Sequence, residues 1–396
     1  MSAYRDAFVE VCLEDSAVEA ADWFQSFEVT VQTAVAGYAK SVDRDARYPA
    51  ESIRALAKIG TFGINIPTEF GGLGFGDAMT SLAIETVARE CPSTAALLMF
   101  HAQVTRRLVL FGNKFQRSSD LPLLAKAEKI GISAWSELMA GADKSSLQTR
   151  LSRCGEGWKA NGGKDFCTGL NEAALVHVLL GAEGPDPKTT LSTFVGMAVD
   201  SKDIRINEIY KLVGLRGSNT GSLTLDDASV SDDQIVGKIG QGMAIMKSNH
   251  EVLLNPGLLS LGIGRAAHEH FVDGVTGKWS TMGPSVKYQN TRFALANIEV
   301  TMASAYALAA QTVRDLREDH KGKSLHCYRT KIAANQAAVD VTRIACELVG
   351  GRGATAAWPL EQTYRDAIAA SLMGPSNEVI REKLAADVIS KLEKIE

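Results

Sequence analysis

The chain has 396 residues and a net charge of −4, with 45 % apolar and 22 % charged residues. That length allows two or three domains with a substantial core, and the apolar share excludes a chain dominated by disorder. The acidic balance argues against a general nucleic-acid binder, which carries a basic excess.

The opening stretch, "MSAYRDAFVEVCLEDSAVEA", has neither the basic region nor the apolar region of a secretion signal. No run reaches the ~18–20 uninterrupted apolar residues that span a bilayer. Cys12, Cys91, Cys154, Cys167, Cys327 and Cys346 show no C-x-x-C spacing. They suit a reducing compartment and suggest neither a disulfide framework nor a zinc site. His268 and His270 stand two apart, a spacing that faces different ways on a helix, so no metal is expected. The expectation is a cytoplasmic protein with no membrane or nucleic-acid partner.

Residues 1–128 read as a helical domain. "SIRALAKIGTFGINI" and "AMTSLAIETVAREC" repeat apolar residues at spacings of three and four, and "PTEFGGLGFG" between them is a Gly/Pro loop. Residues 129–240 read as a small antiparallel β domain. "VHVLLGAE", "STFVGMAVD" and "SLTLDDASVS" are short β-prone runs bounded by Gly, Asp and Pro. Residues 241–396 return to helices and predict a four-helix bundle. "NTRFALANIEVTMASAYALAAQTVRDLRED" is a long amphipathic run, and "CYRTKIAANQAAVDVTRIACELV" is another, stopped by Gly350 and Gly351. The fold class is α+β, mostly α.

Five segments carry a resemblance. They are "IPTEFGGLGFG" (66–76), "SELMAGADKSSLQT" (136–149), "GGKDFCTG" (162–169), "LVGLRGSNTGSLTLDD" (212–227) and "ELVGGRGATAAWPLEQTYRDA" (347–367). Each alone is weak, because Gly-rich turns are common. In this order and spacing they resemble the acyl-CoA dehydrogenase superfamily over nearly the whole chain. The resemblance implies a helix–sheet–helix fold around FAD and α,β-dehydrogenation of an acyl thioester, carried on coenzyme A or on a carrier protein. It also implies a homodimer or homotetramer, served by an electron-transfer flavoprotein.

The same resemblance distributes roles. Trp135, Ser136, Gly141 and Ala142 would meet the flavin's pyrimidine side, and Phe166, Cys167 and Thr168 would form a strand edge against the ring. The Thr168 hydroxyl would face the reactive nitrogen N5. Gly350 and Gly351 would let backbone approach the nucleotide end, and "SNEVIRE", with Ser376 and Asn377 as cofactor contacts, looks like a flavin-side loop. Lys278 replaces a family arginine as a point charge without its bidentate fork, and Glu347 replaces a glutamine. Arg365 and Asp366 of "YRD" read as a structural ion pair.

The base is the open question. Removal of an α-proton needs a carboxylate shielded from water. The common family position for it is Gly374 here, and glycine cannot be a base. A minority of the family supplies the carboxylate from a helix early in the last domain. That slot falls on Val252, with Glu251 just before it. Pro256 would kink or bulge that helix and bring Glu251 into register. Glu251 is therefore the candidate base, with His250 and His101 secondary. "KDFCTG" also resembles the flavin monooxygenases of the same fold. Those use O2 with reduced FAD or FMN supplied by a flavin reductase, and there Cys167 and Thr168 would line the oxygen pocket. A scaffold without activity is the third reading.

Overall fold

The computed structural model describes residues 3–14, 18–139, 146–183, 190–278, 284–318 and 322–393. Gly141 and Ala142 lie outside them. The first block holds α1 (Asp6–Leu13), α2 (Val18–Thr30), α3 (Ala36–Arg44), α4 (Ala50–Lys58), α5 (Gly76–Glu90), α6 (Pro92–Phe111) and α7 (Lys114–Ala125). Pro92 opens α6 at a position where its missing N–H costs nothing. Asn113 and Gln116 cap α7 reciprocally. The run "SIRALAKIGTFGINI" is not one helix. Gly60 adopts φ 75° and closes α4, after which the chain turns into a short 3-10 segment at Thr61–Gly63.

The sheet domain contains β1 (Gly131–Ala134), β2 (Arg150–Cys154), β3 (Gly157–Cys167), β4 (Leu175–Glu183), β5 (Thr190–Ala198), β6 (Ile204–Ile209), β7 (Gly221–Val230) and β8 (Ile235–Val236). Its order is β6-β7-β3-β2-β4-β5-β8, with β1 on β4. Most pairs are antiparallel, as expected, but β1 and β2 both run parallel to β4. The sheet is mixed because β4 is reached across the sheet rather than by a hairpin. β4 is buried from Leu175 to Ala182, which explains its continuous apolar run.

The last block comprises α8 (Gly242–His250), α9 (Pro256–Val275), α10 (Gln289–Arg317), α11 (Lys323–Val349), α12 (Pro359–Leu372) and α13 (Asn377–Leu392). α9 is the buried axis, packed by α5, α10, α11 and α12. Among the described helices, α10 alone is long and apolar enough to cross a membrane. It packs against α1, α9 and α11 and leaves Phe293 and Val300, one heptad apart, exposed.

A buried carboxylate ties the two helical blocks together. Glu85 on α5 accepts from Arg5 Nε at 3.1 Å, from Arg265 Nε on α9 at 2.8 Å, and from the Tyr306 hydroxyl on α10. Burial pushes this carboxyl up, but Arg265 and Arg5 outweigh it and bring it down to about 2.

Candidate active site

The site starts from an ion pair under the sheet. Lys164 on β3 places Nζ 2.6 Å from Glu137 Oε1, and both side chains are buried. Glu137 also accepts from Gln148 N–H at 2.6 Å and from the Thr149 hydroxyl. Burial pushes the carboxyl up; the bonds from Lys164, Thr149 and Gln148 overcome this and leave it below the ordinary range. The segment Trp135–Leu138 is thereby nailed to β3. Asp165 N–H donates to Ser136 O at 2.9 Å, and Leu138 N–H donates to Asp165 Oδ2 at 3.3 Å.

The end of β3 is not a straight edge. Its register against β7 shifts between Lys164 and Cys167, and Phe166 takes φ 54°. This bulge turns Phe166 outward, 55 % exposed and packed on Tyr210 at 5.3 Å between ring centroids. Cys167 turns inward and is fully buried, with its thiol pushed up to about 12 by burial. Thr168 Oγ1 lies 3.0 Å from Thr220 Oγ1, which lies 2.9 Å from Ser218 Oγ. With Ser218 donating to Thr220 and Thr220 to Thr168, the Thr168 proton is free to point outward.

Gly374 lies beside a small cavity lined by His250, Asn255, Tyr328, Lys331 and Pro375. The chain reaches it by a break between helices. α8 stops at His250, Glu251 is its C-cap, and Pro256 opens α9 behind the N-cap Asn255, whose Oδ1 accepts from Gly257 N–H at 2.9 Å. The expected kink within one helix is thus two helices joined at 251–255. Glu251 is half-buried, 3.7 Å from Lys247; burial raises the Cys327 and Tyr328 groups beside the cavity, and the Glu251 charge adds a smaller push in the same direction. His250 packs on Tyr328, and burial with Lys383 lowers its imidazole to about 4. Val252 is buried. His101 uses both nitrogens, one accepting from Gly131 N–H and the other bound to Phe62 O, so it is a structural histidine.

At the turn expected to meet the nucleotide end, α11 stops where Gly350 takes φ 73°, and a Cβ on Gly350 or Gly351 would meet nothing within 4 Å. Glu347 is exposed and paired with Arg343 at 2.7 Å. Lys278 pairs with Asp273 at 2.6 Å. Ser376 caps α13, its Oγ accepting from Val379 N–H at 3.4 Å. Asn377 Oδ1 accepts from Lys331 Nζ and Asn335 Nδ2, both at 3.1 Å, and so faces inward. One expectation is corrected here. Arg365 pairs with Asp43 and Glu361, each at 2.7 Å, while Asp366 accepts a backbone N–H instead.

Two family models match this chain. The acyl-CoA dehydrogenase N-terminal domain covers residues 19–128 and the C-terminal domain covers residues 241–389. Acryloyl-CoA reductase (NADH) of Anaerotignum propionicum is 28 % identical over 361 residues, 89 % of this chain and 90 % of its own. The mitochondrial short-chain specific acyl-CoA dehydrogenase of Bos taurus is 26 % identical over 353 residues, 89 % and 85 % of the two chains. The butyryl-CoA dehydrogenase structure from Megasphaera elsdenii superposes with a TM-score of 0.87 at 22 % identity, covering 95 % of this chain and 99 % of its own. The chain belongs to the acyl-CoA dehydrogenase superfamily. It is a flavin-dependent oxidoreductase, and FAD is its cofactor.

The residues present fit that cofactor. Leu138 and Phe166 are 70 % and 55 % exposed, and the Leu138 N–H is bound to Asp165, the neighbour of Phe166, so the segment offers exposed apolar side chains of the kind a flat ring covers. The hydroxyl of Thr168 stands at the end of the same strand, and the open backbone at Gly350 and Gly351 is free for close approach. Sequence reasoning missed Lys164, Glu137, Tyr210, Ser218, Thr220 and Lys331. The first five lie in or near quoted segments, but only the fold joins them. Lys331 sits in mid-helix and gives no signal.

Proposed function

We propose that this protein removes the α-proton and β-hydride of an acyl thioester, with Glu251 as the base and Thr168 at the flavin's reactive nitrogen. The observation that carries the reading is the break at 251–255. It makes Glu251 the C-cap of α8, directly after His250, which lines the cavity next to Gly374, where the common carboxylate is missing. Glu251 would hold the α-proton, Thr168 would orient the ring, and the exposed Phe166 side chain would exclude water from one face. FAD supplies the hydride acceptor.

Glycine at 374, lysine at 278 and glutamate at 347 support a specialised member of the family, acting on a coenzyme A or carrier-protein thioester. The exposed apolar line of α10 supports a homodimer or homotetramer. Re-oxidation would fall to an electron-transfer flavoprotein, and the six free cysteines favour a cytoplasmic setting. The oxygenase reading loses ground, because the relatives named above are dehydrogenases and a reductase. Anaerobic titration with a panel of acyl-CoA and acyl-carrier thioesters tests the proposal. Bleaching of bound FAD is expected. A spectrum that no thioester changes, in protein that oxidises its substrate only with O2, would refute it.

A further inference from the structure

We propose that Asp366, on α12, is a positioning residue for the Thr168 hydroxyl, acting through the loop 212–220. This rests on the reading of Thr168 as the hydroxyl beside the flavin. The link is continuous in hydrogen bonds. Leu215 N–H donates to Asp366 Oδ1 at 2.6 Å, and Ser218 N–H donates to Leu215 O at 2.9 Å. Ser218 Oγ, Thr220 Oγ1 and Thr168 Oγ1 then follow at 2.9 and 3.0 Å. A backbone path runs alongside: Gly169 and Leu170 N–H donate to Ser218 O and Asn219 O at 2.8 and 3.0 Å.

The loop needs an anchor from outside. Leu215 and Asn219 sit at φ 52° and 47°, left-handed conformations that asparagine tolerates and leucine resists. At Gly214 a Cβ would lie 2.2 Å from Arg365 O, so the loop rests directly on the backbone of α12. Arg365 Nη1 holds Val213 O at 3.0 Å, and Ser93 Oγ on α6 accepts from Gly217 N–H at 3.1 Å. All three blocks of the fold meet on these few residues.

Asp366 is the carboxyl of that anchor, beside the Arg365 guanidinium. It is buried, close to Asp43, Arg365 and the Cys91 thiol, with Gln362 donating to its second oxygen at 3.3 Å. Burial pushes its carboxyl up to about 7, helped by Asp43. A carboxylate held there at a cost is a stronger acceptor for Leu215 N–H than a neutral group of the same shape. Leu215 keeps its left-handed geometry, and Ser218 its bond to Leu215 O, while that bond is made, and Thr168 keeps its partner.

Hydrogen exchange on the whole protein tests this, read at Gly169 and Leu170 with β5 as an internal control. D366A is expected to speed exchange at the two amides about tenfold, the loss of a hydrogen bond to a charged group, with β5 unchanged. D366N keeps the volume and a weaker acceptor, serves as the variant of choice should D366A fail to fold, and raises the same exchange several-fold. Titration with FAD adds a second arm. D366N weakens FAD binding in the Thr168 protein and has no further effect in a T168V background. Unchanged exchange in both variants, or equal FAD losses in the two backgrounds, overturns the proposal. Coupled exchange in a protein that binds no FAD supports the linkage and refutes only the flavin reading.

Discussion

Lys331 Nζ donates to Met373 O and to Asn377 Oδ1, each at 3.1 Å, so a cation braces the turn on both sides of Gly374. Burial lowers this ammonium to about 8. The unfolded chain therefore binds more protons than the folded one between about pH 8 and pH 10.4, and stability should rise with pH across that window. Lys331→Met should abolish the rise, as urea unfolding at pH 7.5 and 10 would show. It should also lower kcat, because the turn beside the cavity loses its brace.

The Lys164–Glu137 pair makes the opposite demand. Removing one partner leaves a buried charge alone, so Lys164→Met should cost about 3–5 kcal/mol and weaken FAD binding. The double change Lys164→Met with Glu137→Met should recover part of the stability but not the affinity. Thermal melts and FAD titration separate the two.

Glu85 supplies the acid-side prediction. Its folded pKa, about 2, lies below its unfolded value, so its contribution is present above about pH 4.5 and is lost as pH falls toward 2. Glu85→Gln should lose about 3 kcal/mol at pH 7, and the difference from the parent should shrink to nothing near pH 2. Chemical unfolding across that range is the measurement.

Arg107 should respond in the other direction. It is fully buried, packed at 5.2 and 5.1 Å from the Trp135 and Phe194 rings, and burial lowers it to about 9. Its Nη2 reaches Ser133 Oγ at 2.5 Å, while Nε and Nη1 find no acceptor among the described residues. Arg107→Met should raise stability by about 1–2 kcal/mol, read as a higher Tm.

Much of the architecture is legible in the sequence because helical and strand periodicities report burial directly. The long runs of α10 and α11 and the alternation of β7 are examples. The boundaries that escaped are those where a single backbone angle decides: Gly60 ends α4, and Pro256 with Asn255 starts a new helix instead of bending an old one. In the candidate site, Thr168 and Ser136 enter through the motifs that carry the family resemblance. The bulge at Phe166 was not legible, since nothing in "KDFCTG" announces a positive φ on a phenylalanine. Lys331 and Asp366 act across more than thirty and one hundred and fifty residues of sequence, respectively, and such pairings exist only once the helices pack.

The most direct test of the base is the rate at which an acyl thioester bleaches bound FAD anaerobically in wild type and in Glu251→Gln. A positioned general base contributes about 10²–10⁴ in rate. The variant should bind FAD with unchanged affinity and bleach at least about a hundredfold more slowly. Bleaching at the wild-type rate would contradict the assignment of Glu251, and with it the idea that the break before Pro256 replaces the carboxylate missing at Gly374.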